Sequence, residues 1–337
     1  MKAIAFNESL PIEDVNALQD IDLEVPAASG RDLLVEVKAV SVNPVDYKVR
    51  KLMPPDDGTF KVLGWDAAGI VKDTGDAVTE FKVGDKVYYA GDLTRSGSNA
   101  EFQLVDERIV GKMPESLSFA EAAALPLTTI TAWEMLFDRL EVPTDTDAPQ
   151  KSILIVGAAG GVGSIMVQLL RSLTGVKVIG TASREESVNW LKELGAHHVI
   201  NHRNPLSEEL NAIGIPEVDY VVGLNNTQDH YIEIVKCLKP QGKFGLIDDP
   251  MELDVREMKR KSISLHWEFM YTRSMFQTED IGEQNKLLNS VASLIDEGLL
   301  KTTIAHELGT INAGNLRKAH AMLEKQQAHG KIVLEGF

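Results

Sequence analysis

Short apolar and β-branched runs alternate with helix-periodic segments from residue 151 to about residue 247. Runs of this kind are typical of buried strands, and the helical segments between them indicate crossover connections. We therefore predict an α/β fold with a doubly wound parallel sheet. The predicted strands are SILIVG (152–157), KVIGTAS (177–183), HHVIN (197–201), VDYVVGL (218–224), GKFGLID (242–248) and SISLHWEFM (262–270).

The first 125 residues show a different pattern, with short, partly alternating runs separated by turn sequences rich in Gly, Pro and Asp. This punctuation predicts a compact, curled β domain. An alanine-rich segment with helical period begins at Ser118, and we place the domain change near Leu125 and Pro126. After Gly282 the chain is helical (NKLLNSVASLIDEGLL), and GKIVLEGF (330–337) closes it as a strand.

A glycine-rich turn joins the first predicted strand of the α/β region to a helix. Ala158, Gly160 and Gly163 form an A-x-G-x-x-G pattern directly after the apolar strand. Small residues at this position let a pyrophosphate approach backbone N–H groups and the positive end of a helix. The pattern predicts a dinucleotide site, and a tight turn without a ligand is the alternative.

Composition and charge narrow the possible partners. A formal charge of −16 over 337 residues argues against nucleic acid as the main partner, because phosphate binding needs a basic surface. Cys237 is the only cysteine, and the N-terminal sequence has no signal-peptide core, so we expect a cytoplasmic protein. Residues 152–170 carry no charge, but glycines and Gln168 interrupt them, and we predict a core element without membrane contact.

The end of the second strand of the α/β region indicates the cofactor. An NAD-binding protein carries an acidic residue here for the ribose 2′-OH, whereas this chain has Ser183 and Arg184. A hydroxyl and a guanidinium suit a 2′-phosphate, which favours NADPH over NADH. Ser183 and Glu186 also match a capping box, so Ser183 could instead cap the next helix. Both roles can hold together.

Three histidines, His197, His198 and His202, invite a metal interpretation. The residues between His198 and His202 indicate a strand, where a four-residue step spans about 13 Å, too far for one ion. We therefore predict no metal here and a cofactor-edge role for His202.

Motifs along nearly the whole chain, in order, resemble the medium-chain dehydrogenase/reductase superfamily. They are Asn43-Pro44-Val45-Asp46, Gly64-Trp65-Asp66-Ala67-Ala68-Gly69, Val83-Gly84-Asp85-Lys86-Val87, Thr131-Ala132-Trp133, Ala158–Gly163 and Gly330-Lys331-Ile332-Val333-Leu334. Further motifs are similar to the quinone-oxidoreductase branch and its zinc-type alcohol dehydrogenase-like group: Pro240-Gln241-Gly242-Lys243, Lys261-Ser262, His266-Trp267-Glu268 and Phe276-Gln277-Thr278. The resemblance implies a GroES-like catalytic domain (1–125 and 271–337) and a Rossmann cofactor domain (126–270).

The resemblance does not extend to zinc ligands. Where zinc-dependent relatives carry a Cys this chain has Asn43, and where they carry Gly-His-Glu it has Gly64-Trp65-Asp66. A catalytic zinc needs about three Cys, His or carboxylate ligands. We expect a zinc-independent enzyme, with a zinc-dependent alcohol dehydrogenase as one alternative.

Without a metal, hydrogen-bond donors must stabilise the oxygen that becomes charged when hydride arrives. Quinones and α,β-unsaturated carbonyls suit this chemistry, because their reduction leaves a delocalised anion. The resemblance implies Asn43 and a nearby tyrosine as donors. Tyr47 lies one position earlier than the usual tyrosine, whose place Lys48 takes, and Tyr47 could equally be a packing residue. Trp65, Met53 and Phe60 could form an apolar wall for a flat substrate or belong to the core.

The resemblance also implies contacts with each part of NADPH. Pyrophosphate contacts are expected at Gly160, Gly161, Val162 and Gly163. Adenosine contacts are expected at Ser183, Arg184 and His202. Nicotinamide contacts are expected at Thr131, Asn225 and Lys331. The resemblance further implies a homodimer that pairs the SISLHWEFM strands; a buried core strand is the alternative. A second functional alternative is a non-catalytic NADPH-binding sensor or structural protein.

Overall fold

The chain divides into two compact units in the computed structural model, which describes residues 1–145, 150–326 and 328–337. Unit 1 comprises Met1–Ile130 and Tyr271–Phe337, and unit 2 comprises Thr131–Met270. The chain thus leaves unit 1 after Ile130 and returns to it at Tyr271.

The strands and helices are numbered in chain order. The strands are β1 Lys2–Phe6, β2 Gln19–Asp22, β3 Asp32–Val42, β4 Lys61–Val62, β5 Ala67–Thr74, β6 Lys86–Tyr89, β7 Phe102–Asp106, β8 Val110–Lys112, β9 Ser152–Val156, β10 Lys177–Thr181, β11 His198–Ile200, β12 Val218–Gly223, β13 Leu238–Leu246, β14 Ser264–Trp267, β15 Ile304–Glu307 and β16 Lys331–Glu335. The α-helices are α1 Pro44–Leu52, α2 Phe119–Ala123, α3 Pro126–Trp133, α4 Gly161–Leu173, α5 Glu185–Glu193, α6 Leu206–Ala212, α7 Thr227–Cys237, α8 Arg256–Lys259, α9 Thr272–Phe276, α10 Glu283–Asp296 and α11 Ala313–Glu324. A 3-10 turn covers Glu107–Ile109, and a π-helix covers Glu134–Arg139.

Unit 2 is built on a parallel sheet whose strands lie in the order β11-β10-β9-β12-β13-β14. The chain starts this sheet at its centre with β9 and winds outward in both directions, as in the 3-2-1-4-5-6 order of dinucleotide-binding folds. Every residue of β9 is buried, because helices cover both faces of such a sheet. The predicted doubly wound parallel sheet is confirmed.

Unit 1 is β-rich, as predicted, and is organised around the long strand β3. This strand pairs with β5, β7 and β16, all antiparallel, in the path β15-β16-β3-β5-β6-β8. A smaller sheet has the order β2-β1-β4. The pairing of β16 with β3 brings the end of the chain beside the segment that follows β3.

The structure adds elements that the sequence pattern did not predict. Strands β1, β2 and β15 were missed because they are short or lack a clean alternation. The alanine-rich helical segment predicted from Ser118 is divided into α2, α3 and the π-helix. Pro126 begins α3, since proline lacks the N–H that a continuing helix would need but fits a first turn.

The predicted late strand SISLHWEFM is shorter in the structure, where β14 covers Ser264–Trp267 and pairs with β13. It is the last strand in the order of the unit 2 sheet. The structure also answers the question of a membrane segment: within the described residues, no helix has the length and apolarity that crossing a bilayer requires.

Candidate functional site

The glycine turn of unit 2 lies between β9 and α4, at the carboxyl end of the central strand. Gly157 has a φ of +84°, a backbone conformation that residues other than glycine rarely adopt. A Cβ there would also lie 2.3 Å from Oδ1 of Asn225, which follows β12. The structure therefore brings the predicted residue Asn225 directly against the glycine turn.

Gly163 and Gly160 play different roles in this turn. A Cβ on Gly163 would lie 2.2 Å from the carbonyl oxygen of Ala158, so the close approach of helix and turn requires glycine. A Cβ on Gly160 would lie 3.5 Å from the nearest heavy atom, the carbonyl oxygen of Gly157. Packing within the protein therefore requires Gly163 but leaves room for a side chain at Gly160.

The first turn of α4 presents backbone N–H groups at this site. Gly160 is the N-cap, and the first N–H groups of a helix have no acceptor inside the helix. Gly160, Gly161 and Val162 are only half-buried, and the first turn contains no acidic side chain. Partly accessible N–H groups at the positive end of a 13-residue helix suit an anion such as a pyrophosphate.

Ser183 and Arg184 lie after β10, on the segment that leads into α5. Ser183 is half-buried and Arg184 is exposed. The alternative interpretation of Ser183 as a helix cap is wrong, because α5 begins at Glu185 with Arg184 as its N-cap. Within the described chain, neither side chain forms a hydrogen bond that would occupy it, so both can meet a ligand.

His202 lies beyond the end of β11 in a group of basic side chains. Its ring centroid is 6.1 Å from that of His230, at an edge-to-face angle of 68°. Burial lowers the pKa of His202, and neighbouring positive charges lower it further. Those neighbours are His230, Arg203 and Arg184. We call Arg184, His202, Arg203 and His230 the basic group.

The basic group extends the predicted set, which contained Arg184 and His202 but not Arg203 or His230. His230 lies on α7, and its distance along the chain from His202 gave no signal that the two would meet. The four cationic or protonatable side chains point to an anionic ligand at this end of the sheet.

In unit 1, Asn43 is the N-cap of α1. The helix starts at Pro44, and the carboxylate of Asp46 accepts a hydrogen bond of 2.7 Å from the backbone N–H of Asn43. This is a common way to satisfy the first N–H groups of a helix, with proline at the first helical position. The Asn-Pro-Val-Asp motif therefore has a local structural role in addition to any role in catalysis.

Asn43, Asp66 and Lys331 form a buried cluster, which we call the Lys331 centre. The Lys331 ammonium donates to Oδ2 of Asp66 at 2.7 Å and also to Oδ1 of Asn43. The Asn43 amide nitrogen donates to Asp66 Oδ2 at 2.8 Å, and the Leu127 N–H donates to Asp66 Oδ1 at 2.7 Å. The exposed fractions of Asp66, Asn43 and Lys331 are 0%, 1% and 2%.

Burial raises the pKa of Asp66, and Lys331 and Asn43 oppose that rise by stabilising the carboxylate. Burial also raises the pKa of Asp46, to about 7, against the opposing effects of the Asn43 N–H and Lys331. Tyr271 lies near the same carboxylates, and burial and their charges raise its pKa. The sequence motifs did not indicate Tyr271.

The other predicted residues of unit 1 have different surroundings. Tyr47 is half-buried, and the Lys51 ammonium lies 5.4 Å from the centre of its ring. Its hydroxyl forms no hydrogen bond with the part of the chain that the structure describes. Trp65 belongs to the core, with its indole N–H donating to the Asp92 carbonyl at 3.2 Å, whereas Met53 and Phe60 are exposed.

Comparison with known proteins identifies the family. Residues 29–129 match the model of the alcohol dehydrogenase GroES-like domain, and residues 194–334 match the model of a zinc-binding dehydrogenase. A zinc-type alcohol dehydrogenase-like protein of Staphylococcus epidermidis is 36% identical over 336 residues, which cover 99% of each chain. This chain belongs to the medium-chain dehydrogenase/reductase superfamily. It is therefore an oxidoreductase with a GroES-like domain and a Rossmann domain.

Two solved structures place this dehydrogenase/reductase within the superfamily. One, from Rhizobium etli CFN 42 and provisionally assigned as a zinc-dependent alcohol dehydrogenase, is 55% identical, with a TM-score of 0.97 and coverage of 100% and 98%. The quinone oxidoreductase of Escherichia coli, solved in complex with NADPH, is 26% identical, with a TM-score of 0.83 and coverage of 99% and 100%. The predicted similarity to the quinone-oxidoreductase branch is confirmed.

The names of several relatives contain the word zinc. The side chains that could serve as metal ligands in this dehydrogenase/reductase do not fit a zinc site. Within residues 1–145, 150–326 and 328–337, no group of three or more His, Cys, Asp or Glu residues could hold a metal ion. Asp66 already accepts from Lys331, Asn43 and the Leu127 N–H. An ammonium group cannot ligate zinc, and Asp66 alone falls short of the three ligands of a catalytic site.

Proposed function

We propose that this oxidoreductase transfers hydride from NADPH to a quinone or an α,β-unsaturated carbonyl compound and does not require zinc. The observation that carries the proposal is the combination, in unit 2, of the glycine turn with the basic group. The turn suits a pyrophosphate, and the basic group suits a 2′-phosphate. The bound NADPH of the E. coli quinone oxidoreductase supports the same choice of cofactor.

The proposed cofactor contacts follow the geometry of unit 2. The turn at Gly160–Gly163 would hold the pyrophosphate through its backbone N–H groups, apart from that of Gly160, which already donates to the Gly157 carbonyl at 3.2 Å. Ser183, Arg184 and His202 would hold the adenosine 2′-phosphate. Asn225 lies against the glycine turn and is a proposed nicotinamide-side contact. Thr131 is buried at the start of unit 2, and its contact with the nicotinamide side stays a prediction.

In the proposed reaction, the hydride carries two electrons from the dihydropyridine of NADPH to the β-carbon of an enone. The electron pair of the C=C bond then moves onto the carbonyl oxygen as an enolate. Protonation of the enolate carbon gives the saturated carbonyl compound, so the reaction consumes NADPH and one proton and yields NADP⁺. A quinone accepts the same hydride and one proton and becomes a hydroquinone.

Hydrogen-bond donors on the protein would stabilise the carbonyl oxygen of the substrate as it becomes negatively charged. We propose Tyr47 as a donor because its hydroxyl makes no hydrogen bond within the described residues and is therefore available. The Asn43 amide nitrogen already donates to Asp66. These contacts favour a positioning role for Asn43 over direct donation to the substrate. One aimed donor of this type contributes several kcal/mol to transition-state stabilisation.

We also propose a cytoplasmic homodimer. The edge strand β14 ends at Trp267, whose exposed fraction is 53%, and Phe269 nearby is 48% exposed. An exposed apolar sheet edge is suited to strand pairing with a second copy. Light scattering after size exclusion should give a dimer mass, and Trp267→Glu should shift it to the monomer. A wild-type monomer would contradict this part of the proposal.

The experiment that tests the function measures NADPH oxidation by the enzyme as purified, with and without a chelator, and with a panel of quinones, enones and simple ketones. We expect turnover of quinones or enones, a preference for NADPH over NADH and no effect of a chelator. Chelator-sensitive reduction of simple ketones would favour the zinc-dependent alcohol dehydrogenase instead. Tight NADPH binding without turnover of any member of the panel would favour a non-catalytic sensor or structural protein.

A further inference from the structure

We propose that Lys331 is a built-in cation, which holds Asp66 and Asn43 in the way that a metal ion holds its ligands, and makes this centre independent of zinc. The inference rests on the zinc independence of the proposed function and assigns its physical cause. It concerns groups within unit 1 alone: Asn43 after β3, Asp66 before β5 and Lys331 at the start of β16.

The position of Lys331 is set by backbone pairing. Strands β16 and β3 are antiparallel, with Ile332 opposite Val42, so the residue before Ile332 meets the residue after Val42. The backbone N–H of Lys331 donates to the carbonyl of Thr303 at 2.8 Å, which fixes the start of β16. The register of the sheet thus places the Lys331 ammonium next to Asn43.

The chemistry of the three groups fixes the orientation of Asn43. A lysine ammonium can only donate hydrogen bonds, and an ionised carboxylate can only accept them. The amide oxygen of Asn43 must therefore face Lys331, and its nitrogen must face Asp66, as observed. Lys331 is accordingly a positioning residue for Asn43 as well as the partner of a buried charge.

Burial makes this ion pair hard to replace by a metal. The exposed fractions of the Lys331 and Asp66 side chains are 2% and 0%. Removing one partner of a buried pair leaves an uncompensated charge, whereas removing both can be nearly neutral. A zinc ion at Asp66 would have to displace the ammonium or accept its repulsion, and Asn43 presents its oxygen to Lys331 rather than outward.

The decisive experiment is a thermal-stability cycle on the full chain without cofactor or substrate, with Lys331→Met, Asp66→Asn and the double variant. We expect Lys331→Met to lower the melting temperature by about 10 °C, because it leaves the buried Asp66 carboxylate without its ion-pair partner. The double variant should recover most of that loss, and Lys331→Arg should be more stable than Lys331→Met. Lys236→Met, which removes an exposed pair with Glu233, is the matched control and should change little.

A second measurement follows zinc directly, by elemental analysis after dialysis against zinc and then against buffer. We expect wild-type protein to retain much less than one zinc per chain and to show no shift in melting temperature when zinc is added. Stoichiometric zinc in the wild type would overturn the proposal. Wild-type stability of Lys331→Met would also overturn it. The same holds if Lys331→Arg is no more stable than Lys331→Met, or if the double variant is no more stable than Lys331→Met. Neither readout uses NADPH or substrate, so these outcomes are separate from a failure of the proposed reaction.

Discussion

The imidazole rings of His202 and His230 lie 6.1 Å apart, edge to face, although His202 follows β11 and His230 lies on α7. Burial lowers the pKa of His202, and the positive charges of His230, Arg203 and Arg184 lower it further. The negative charge of a bound 2′-phosphate would offset the positive charge of these side chains. Selectivity for NADPH is therefore the first property to test.

Arg184→Ala should weaken NADPH binding by about 10- to 100-fold and leave NADH binding nearly unchanged, because a guanidinium–phosphate contact is charge-assisted. Isothermal titration with both cofactors gives the ratio. Lys192→Ala, which removes an exposed charge from α5, the helix that follows Arg184, is the control and should change neither affinity. Equal losses for NADPH and NADH in Arg184→Ala would contradict the assignment of a 2′-phosphate site.

Binding of NADPH should be accompanied by proton uptake near neutral pH. His202 has a lowered pKa in the free protein, and a dianionic phosphate beside it would raise that pKa, so the complex holds more protons. Affinity for NADPH should accordingly rise as the pH falls toward the ordinary pKa of histidine. Titrations in buffers with different ionisation enthalpies measure the uptake. His202→Gln should reduce it, and uptake of the same size with NADH would exclude this cause.

The two glycines of the turn should respond differently to alanine. Gly163→Ala should destabilise the protein by at least about 2 kcal/mol, since its Cβ would meet the Ala158 carbonyl. Gly160→Ala should preserve stability but weaken NADPH binding, because its Cβ has room within the protein and would point at the ligand. Urea unfolding and cofactor titration of both variants check this. Unchanged NADPH affinity in Gly160→Ala would show that the pyrophosphate does not approach that residue.

Tyr47→Phe should lower kcat by about 100-fold and leave the Kd for NADPH unchanged, because it removes one donor to the reacting oxygen and no cofactor contact. Stopped-flow measurement of a single turnover separates the chemical step from product release. A wild-type rate in this variant would return Tyr47 to the packing role that the sequence left open.

His320 should make the protein less stable in mild acid. It is fully buried on α11, neither ring nitrogen has a partner among the described residues, and burial together with Arg50 lowers its pKa to about 3. In the unfolded chain a histidine binds a proton with a pKa of about 6.5. The stability is therefore present above that pH and is lost as the pH falls toward the folded pKa of about 3, by about 1.4 kcal/mol per pH unit. Denaturant unfolding measured at several pH values tests this, and His320→Leu should flatten the slope. An equal slope in the variant would assign the acid sensitivity to other groups.

The sequence predicted the parts of this molecule that depend on local pattern. The alternation of strands and helices in unit 2 follows from periodicity, and the glycine turn follows from the steric needs of Gly157 and Gly163. The quinone-oxidoreductase branch was also identified correctly. These features involve neighbours in the chain or motifs with strict spacing.

The features that the sequence did not predict depend on distant contacts. Lys331 meets Asn43 across 288 residues, because of a strand register that no motif specifies. His230 on α7 meets His202, which follows β11, and Tyr271 comes near Asp46 and Asp66 after the chain returns to unit 1. Charge and burial at these contacts cannot be assigned until the partners are known.

The most direct test of the central claim is the fate of a deuterium label. Metal-free enzyme should be incubated with NADPH deuterated at the transferable C4 position and an enone that it reduces, and the product examined by NMR. We predict one deuterium on the carbon that was β to the carbonyl, with a primary isotope effect on the chemical step. An unlabelled product, or transfer only after zinc is added, would contradict hydride transfer by a metal-independent enzyme.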